Sequence, residues 1–174
     1  QRRGACGAGA AARAGGCEAV CARPPALAPA TLLALAGASA LLWHRAGQAT
    51  EGVRWCERVL ALAGADAAPA ERAGVDLALA HLGGIAMVVS ASQGLAAARR
   101  AADGYVASGD TVREMYALYL QHTLMARAEP GADRTPVLQR LQALVQPDWG
   151  ELLRRFARHA AAYEARLQGR HAEY

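Results

Sequence analysis

The sequence predicts an all-α protein built of antiparallel helix pairs, and three observations support that fold class. Apolar residues recur at helical spacing from residue 29 almost to the end of the chain. Prolines, glycines and short polar turns divide this region into segments of helical length. No apolar run alternates with the period of a strand, so no strand is predicted. The 174 residues are enough for one domain with a hydrophobic core.

Residues 1–28 are expected to form a disordered segment that precedes the fold. Within it, residues 1–24 are rich in Gly, Ala and Arg, and Val20 is their one large aliphatic residue. Such a composition cannot bury enough apolar area to offset the backbone entropy that ordering would cost.

The four cysteines do not form the ligand pattern of a metal site. They are Cys6, Cys17, Cys21 and Cys56. A structural zinc site needs a second close pair of Cys or His ligands, and none follows. We therefore predict free thiols in a reducing cytoplasm, with no metal and no cofactor.

A helical-hairpin repeat domain is predicted over residues 29–128. Its first helix, over 29–45, starts at Pro29, because proline suits the first turn of a helix. Its second helix, over 48–63, carries two neighbouring apolar rows that make a wide buried stripe. The rows are Val53, Cys56, Leu60 and Ala63, and Trp55, Val59 and Leu62.

Residues 26–43 carry no charge and have two interpretations. They could form a buried first helix, or a membrane anchor or signal-peptide core. We favour the buried helix, because Ala, Pro, Gly and Ser interrupt the stretch and a few leucines supply nearly all of its hydrophobicity.

The third predicted helix, over 70–91, is apolar on most sides and should lie in the middle of the protein. Gly83 and Gly84 are unfavourable inside a helix unless a neighbouring helix approaches closely there. The fourth helix is predicted over 92–107.

The fifth helix is predicted over 111–128, where Thr111 and Glu114 have the spacing of a capping box. Residues 129–174 should then form a C-terminal helical pair or cap. In this pair, a short helix starts at Thr135, and Asp148 caps the last helix. The predicted inward stripe of that last helix is Leu152, Phe156, Ala160, Tyr163 and Leu167.

The second and fourth predicted helices match at a separation of 45 residues. The matched pairs are Gln48 with Gln93, Arg54 with Arg99, and Gly64 with Gly109. Each helix follows a short polar turn and ends at glycine, which indicates a repeated helical hairpin.

Residues 43–62, with the sequence WHRAGQATEGVRWCERVLAL, resemble a tetratricopeptide-like repeat. More narrowly, they resemble the C-terminal repeats of large bacterial ATP-binding transcriptional regulators. Residues 101–110, AADGYVASGD, resemble the exit of the following repeat, although Gly104 stands where a repeat normally has Ala. The resemblance implies a short solenoid of stacked hairpins that acts as a sensor. The chain has no lysine and no Walker-type loop, so ATP hydrolysis and DNA reading are not carried over to it.

The leading functional hypothesis is a non-catalytic interaction module that binds a protein, a peptide or a small effector. The candidate partner-binding residues are Trp43, Arg54, Tyr116, Tyr119 and His122. For the aromatic members of this set, we favour filling of gaps between helices over contact with nucleic-acid bases. The alternative is a small helical ligand-binding domain or enzyme with a pocket around Asp76, His81 and His122. Asp76, between two apolar neighbours, also predicts an ion pair with an arginine of an adjacent helix.

Direct nucleic-acid binding is not predicted, because the net charge of +4 is spread thinly and much of it lies near the N-terminus. The chain begins with Gln1 rather than Met, which indicates a fragment, a processed product or a mis-started reading frame.

Overall fold

The computed structural model of the chain describes residues 27–64 and 66–170. Every regular element in these two ranges is an α-helix, which confirms the all-α fold class. The predicted disorder of residues 1–24 lies outside the described residues, as do Cys6, Cys17 and Cys21.

Eight helices follow one another along the described residues. They are α1 (Pro29–Ala38), α2 (Ala40–Arg45), α3 (Ala49–Ala63), α4 (Pro69–Gly84), α5 (Ala91–Ser108), α6 (Thr111–Ala128), α7 (Thr135–Leu144) and α8 (Glu151–Leu167). Consecutive helices pack together, and contacts also join α1 and α2 to α4, α4 to α6, and α6 to α8. The helices α1, α2, α4, α6 and α8 therefore form one continuous row, which we call the groove helices. Within the described residues, α3, α5 and α7 contact this row but not each other.

The first predicted helix is broken at Ser39 into α1 and α2. The hydroxyl of Ser39 donates to the carbonyl of Ala36 at 2.8 Å and accepts from Nε1 of Trp43 at 3.0 Å. A serine hydroxyl that bonds a helical carbonyl competes with the backbone ladder and bends the helix. The two pieces both pack on α4, so the prediction was right about helical content and wrong about continuity.

The third predicted helix ends seven residues early, at Gly84 rather than at residue 91. The chain then leaves the helix through Met87, whose φ of 56° lies in the left-handed region. Ser90 starts α5 instead, because its hydroxyl accepts from the backbone N–H of Gln93. Two consecutive glycines lower the helix propensity at that point, so the early end is physically reasonable.

Two predicted helix caps were wrong by one or two residues. The N-cap of α6 is Asp110, whose carboxylate accepts from the N–H of Arg113, and Glu114 binds Arg140 instead of forming a capping box. The N-cap of α8 is Gly150, without a side-chain bond, rather than Asp148.

The predicted inward stripe of the last helix was partly wrong. Leu152 and Leu167 are 66% and 44% exposed, whereas Ala160 is buried and Glu164 is buried beside it. Among the described residues, α8 packs on α6 and α7. The residues of α8 that face this core are Leu153, Phe156, Ala157 and Ala160, so the buried stripe differs from the predicted one.

Small residues allow the central helices to approach closely. A Cβ built on Gly104 of α5 would lie 2.6 Å from the carbonyl oxygen of Pro69 and 2.7 Å from the Cβ of Ala73. This contact explains why glycine suits position 104: α4 crosses α5 where no side chain fits. A Cβ built on Gly83 would likewise lie 3.2 Å from the Cα of Gly94, which agrees with the close helix approach expected at Gly83 and Gly84.

In the part of the chain that the structure describes, no helix combines the length and the apolar character needed to span a bilayer. The uncharged stretch forms α1 and α2 instead, whose buried residues Leu33, Ala36 and Ala40 pack into the protein.

Candidate partner-binding groove

An open groove of about 540 Å³ runs across the groove helices. Every one of them contributes an apolar side chain or a small residue to its wall, including Leu41 of α2, Leu77 of α4, Val112 of α6 and Phe156 of α8. Leu41, Val112 and the neighbouring Ile85 are 50%, 38% and 46% exposed. Exposed apolar side chains concentrated in one concave place are typical of a binding site.

A second groove of about 360 Å³ adjoins the first along α1 and α4. The two grooves share Leu77 and Arg113 in their linings. Glu71 and Tyr105 also line this second groove, so it is more polar than the first.

The polar groups of the main groove are His81, Tyr116 and Arg113. Nδ1 of His81 and the hydroxyl of Tyr116 are 2.7 Å apart, a hydrogen bond that links α4 to α6. Nε2 of His81 is buried and has no hydrogen-bond partner among the described residues. Burial lowers the pKa of His81, and the nearby His44 lowers it further, so the imidazole is neutral at pH 7.

Aromatic rings continue from His81 across the groove helices. The ring of His44 on α2 lies edge-on to His81 at 5.4 Å, and Tyr116 packs on Phe156 of α8 at 5.0 Å. Tyr119 packs on the same phenylalanine at 5.0 Å. Burial raises the pKa of Tyr116 to about 12, so its hydroxyl keeps its proton.

Buried carboxylates hold the groove helices to the rest of the fold. Asp76 of α4 accepts two bonds from Arg100 of α5, at 2.9 and 2.7 Å, which confirms the predicted ion pair. Glu114 of α6 accepts from Arg140 of α7 at 2.8 Å in the same manner. Each pair joins a groove helix to the helix that follows it. These ion pairs therefore hold α4 against α5 and α6 against α7.

A third buried carboxylate, Glu164 of α8, gathers several partners. It accepts from Arg134 at 2.9 and 3.3 Å, from Gln168 at 2.8 Å, and lies 3.1 Å from Nε2 of His122. The hydrogen bond from Arg134 is the main reason why the pKa of Glu164 is lowered, and burial lowers the pKa of His122. This cluster anchors α8 against α6 and the loop before α7.

Exposed charge is distributed unequally over the fold. On the groove helices, the exposed charged residues are Arg45, Arg113, Arg127, Arg155, Arg158, Arg166, Glu71 and Glu151. On α3, α5 and α7, apart from the two arginines that neutralise buried carboxylates, the exposed charged residues are Arg54, Arg58, Arg99, Glu51, Glu57 and Asp103. Among exposed residues, the groove helices therefore have more arginines than acids.

The partner-binding residues predicted from the sequence lie in different places in the structure. Tyr116 lies in the groove, and Tyr119 lies next to it in the aromatic chain. Trp43 packs over Gly52 of α3, where a Cβ would be 2.7 Å from its ring. Arg54 is 69% exposed on α3 and pairs with Glu51, and His122 is fully buried against Glu164.

The alternative trio of Asp76, His81 and His122 does not share a contact. Asp76 binds Arg100, His81 binds Tyr116, and His122 binds Glu164, so each side chain has its own partner. Of the three, only His81 lines the groove. Among the described residues, no three His, Cys, Asp or Glu side chains lie close enough to hold a metal ion.

Sequence reasoning missed the groove residues that are not aromatic. These residues come from three different parts of the chain, and no motif connects them. They are Leu41, Ile85, Val112 and Arg113.

The fold and this site define an all-helical protein with an apolar groove shared by alternate helices. Comparison with models of protein families, with curated proteins and with solved structures gives no match for the chain.

Proposed function

We propose that the chain is a non-catalytic helical-repeat interaction module, and that its groove binds an apolar segment of a partner protein. The observation that carries this proposal is the groove itself, to which all of the groove helices contribute while their exposed leucine, isoleucine and valine side chains remain uncovered.

The order of helix packing supports a tetratricopeptide-like arrangement. Three hairpins can be drawn, α1–α2 with α3, α4 with α5, and α6 with α7, and α8 follows as a final helix. Each hairpin contacts the next one through its first helix, which is how stacked repeats build a continuous binding surface. The resemblance of residues 43–62 to such repeats points in the same direction.

A peptide segment is the occupant that the groove suits best. Its open shape and apolar walls match recognition of an amphipathic helix, whose apolar face enters a groove between helices. Leu41 of α2 and Val112 of α6 both line the groove, so a bound segment can contact both helices.

We also infer that the module is the sensor or partner-binding part of a larger bacterial transcriptional regulator or signalling ATPase in the cytoplasm. This inference rests on the resemblance of residues 43–62. Reading the coding DNA upstream in frame tests it: a Walker motif with a DNA-binding domain is expected, and a nearby stop codon would contradict it.

Selection of random displayed peptides on the intact chain tests the binding function. We expect enriched peptides with apolar residues at helical spacing and dissociation constants of roughly micromolar size. The double variant Leu41→Gln, Ile85→Gln should weaken their binding at least about tenfold, because it removes two apolar contacts.

The matched control is Leu62→Gln, Val106→Gln. These side chains are 67% and 57% exposed on α3 and α5, outside the groove, so this variant should bind like the wild type. Failure to enrich any peptide, or equal loss in both variants, would contradict the proposal.

A further inference from the structure

The polar groups of the groove indicate the chemistry of its partner. We propose that the bound segment is acidic: a carboxylate side chain pairs with Arg113, and a free main-chain group at one end of the helical segment bonds Nε2 of His81. This inference rests on the proposed function, because it describes the partner of that same groove.

Arg113 is the charged residue in the lining of the main groove, and it also lines the adjoining groove. Its guanidinium is 65% exposed and holds Asp110 through one nitrogen, NH1, at 2.7 Å. A guanidinium has five N–H donors in a planar fork, so it can bind a second carboxylate while keeping the first.

The surroundings of Arg113 reinforce this preference for a negative partner. The groove helices expose six arginines and two glutamates. One of these arginines, Arg155, directly precedes the groove residue Phe156 in the sequence of α8. Glu151, the acid on the same helix, is already bound by Arg154 and Arg158. Beside Arg113, an acidic segment is therefore favoured over a basic one.

Nε2 of His81 carries the second part of the inference. A buried polar atom without a partner costs free energy, so an empty hydrogen-bonding position beside a groove indicates where a ligand atom belongs. Nδ1 is occupied by the Tyr116 hydroxyl, and Nε2 is the donor or the acceptor according to the tautomer. The first turn of a helical segment has free N–H groups and its last turn has free C=O groups, so an end of the segment can satisfy Nε2 in either case.

Three synthetic peptides test the proposal. They are amphipathic helical peptides of about 16 residues with identical leucines, long enough to form a few helical turns. Their polar positions carry Glu, Gln or Lys. Binding is measured by fluorescence anisotropy on the intact chain, and we expect the Glu peptide to bind at least about tenfold more tightly than the Gln peptide, with the Lys peptide weakest.

Arg113→Glu should reverse this order, so that the Lys peptide binds more tightly than the Glu peptide. Arg54→Glu is a close control, because Arg54 is 69% exposed and pairs with an acid three residues before it at 2.7 Å, as Arg113 does. It changes the net charge equally but lies on α3, outside the groove, so the order should stay that of the wild type.

His81→Phe keeps a ring in place and removes both nitrogens. It should weaken the binding of the Glu peptide and of the Gln peptide by a similar factor of about tenfold, since it removes a main-chain contact that both peptides share. Circular dichroism confirms that each variant is folded, and His81→Gln, which keeps a donor and an acceptor, should retain part of the binding.

The outcomes separate the two proposals. If none of the three peptides binds, both the binding function and its acidic preference are wrong. If all three bind equally and the groove double variant weakens them, the groove binds peptides and the acidic preference alone is wrong. If Arg113→Glu and Arg54→Glu change the order alike, the preference comes from net charge, and the assignment to Arg113 is overturned.

Discussion

Gly37 of α1 lies so close to Gly74 of α4 that a Cβ on Gly37 would be 2.7 Å from the carbonyl carbon of Gly74. Backbone atoms form this contact, so no flexible side chain can move away. We predict that Gly37→Ala lowers the free energy of unfolding by about 1–3 kcal/mol, measured by urea denaturation.

Gly84→Ala is the control for that experiment. Its Cβ would make ordinary contacts of 3.7 Å with Leu120 and Leu124, so its free energy of unfolding should stay within about 1 kcal/mol of the wild type. If Gly37→Ala were equally harmless, α1 would be free to shift on α4.

Removing the carboxylate of Glu164 should be the most damaging of the polar substitutions. Glu164→Ala leaves Arg134, whose side chain is 10% exposed, as an uncompensated charge, and breaking such a buried pair costs about 3–5 kcal/mol. Thermal unfolding measures the loss.

Glu151→Ala provides the comparison, because Glu151 binds Arg154 and Arg158 at the surface of the same helix. Surface ion pairs are screened by solvent and contribute little to stability, so the melting temperature should change little. Equal effects of the two substitutions would mean that Glu164 does not anchor α8.

Tyr116→Phe removes the hydroxyl that bonds Nδ1 of His81 while keeping the ring between Tyr119 and Phe156. We expect a loss of about 1 kcal/mol in the free energy of unfolding, the usual net contribution of one hydrogen bond. Tyr105→Phe is the control, since Tyr105 is buried and its hydroxyl has no hydrogen bond among the described residues. A larger loss in the control would contradict the assigned role of the His81–Tyr116 bond.

Acidification should destabilise the fold before any surface carboxylate is protonated. Burial lowers the pKa of His81 and of His122 below their ordinary value of 6.5, so the unfolded chain binds protons at a higher pH than the folded one. The stability from these neutral imidazoles is complete above pH 6.5 and is lost as the pH falls below that value.

Urea unfolding at pH 7.5 and at pH 5.5 measures this effect. Glu164, beside His122, has a lowered pKa and stays ionised in that range, so it does not obscure the result. His81→Phe should reduce the difference between the two pH values. A chain that is equally stable at both would show that the imidazoles are accessible to protons in the folded state.

Local signals in the sequence determined where most helices lie. The fifth predicted helix, over 111–128, coincides with α6, and the second differs from α3 by one residue. Gly64 and Gly109 end α3 and α5 with positive φ values of 74° and 71°, as their matched positions in the repeat indicate. These features depend on the turn chemistry and apolar spacing of neighbouring residues, which can be read from one segment at a time.

Only the tertiary structure decided that Glu164 is buried beside Arg134 and His122. It also assembled the groove, because Leu41, His81, Arg113 and Phe156 lie far apart in the sequence. The physical reason is that helical periodicity identifies an apolar face but not the neighbour against which it packs. Long-range packing selects that neighbour, and the helix faces left without one form the groove.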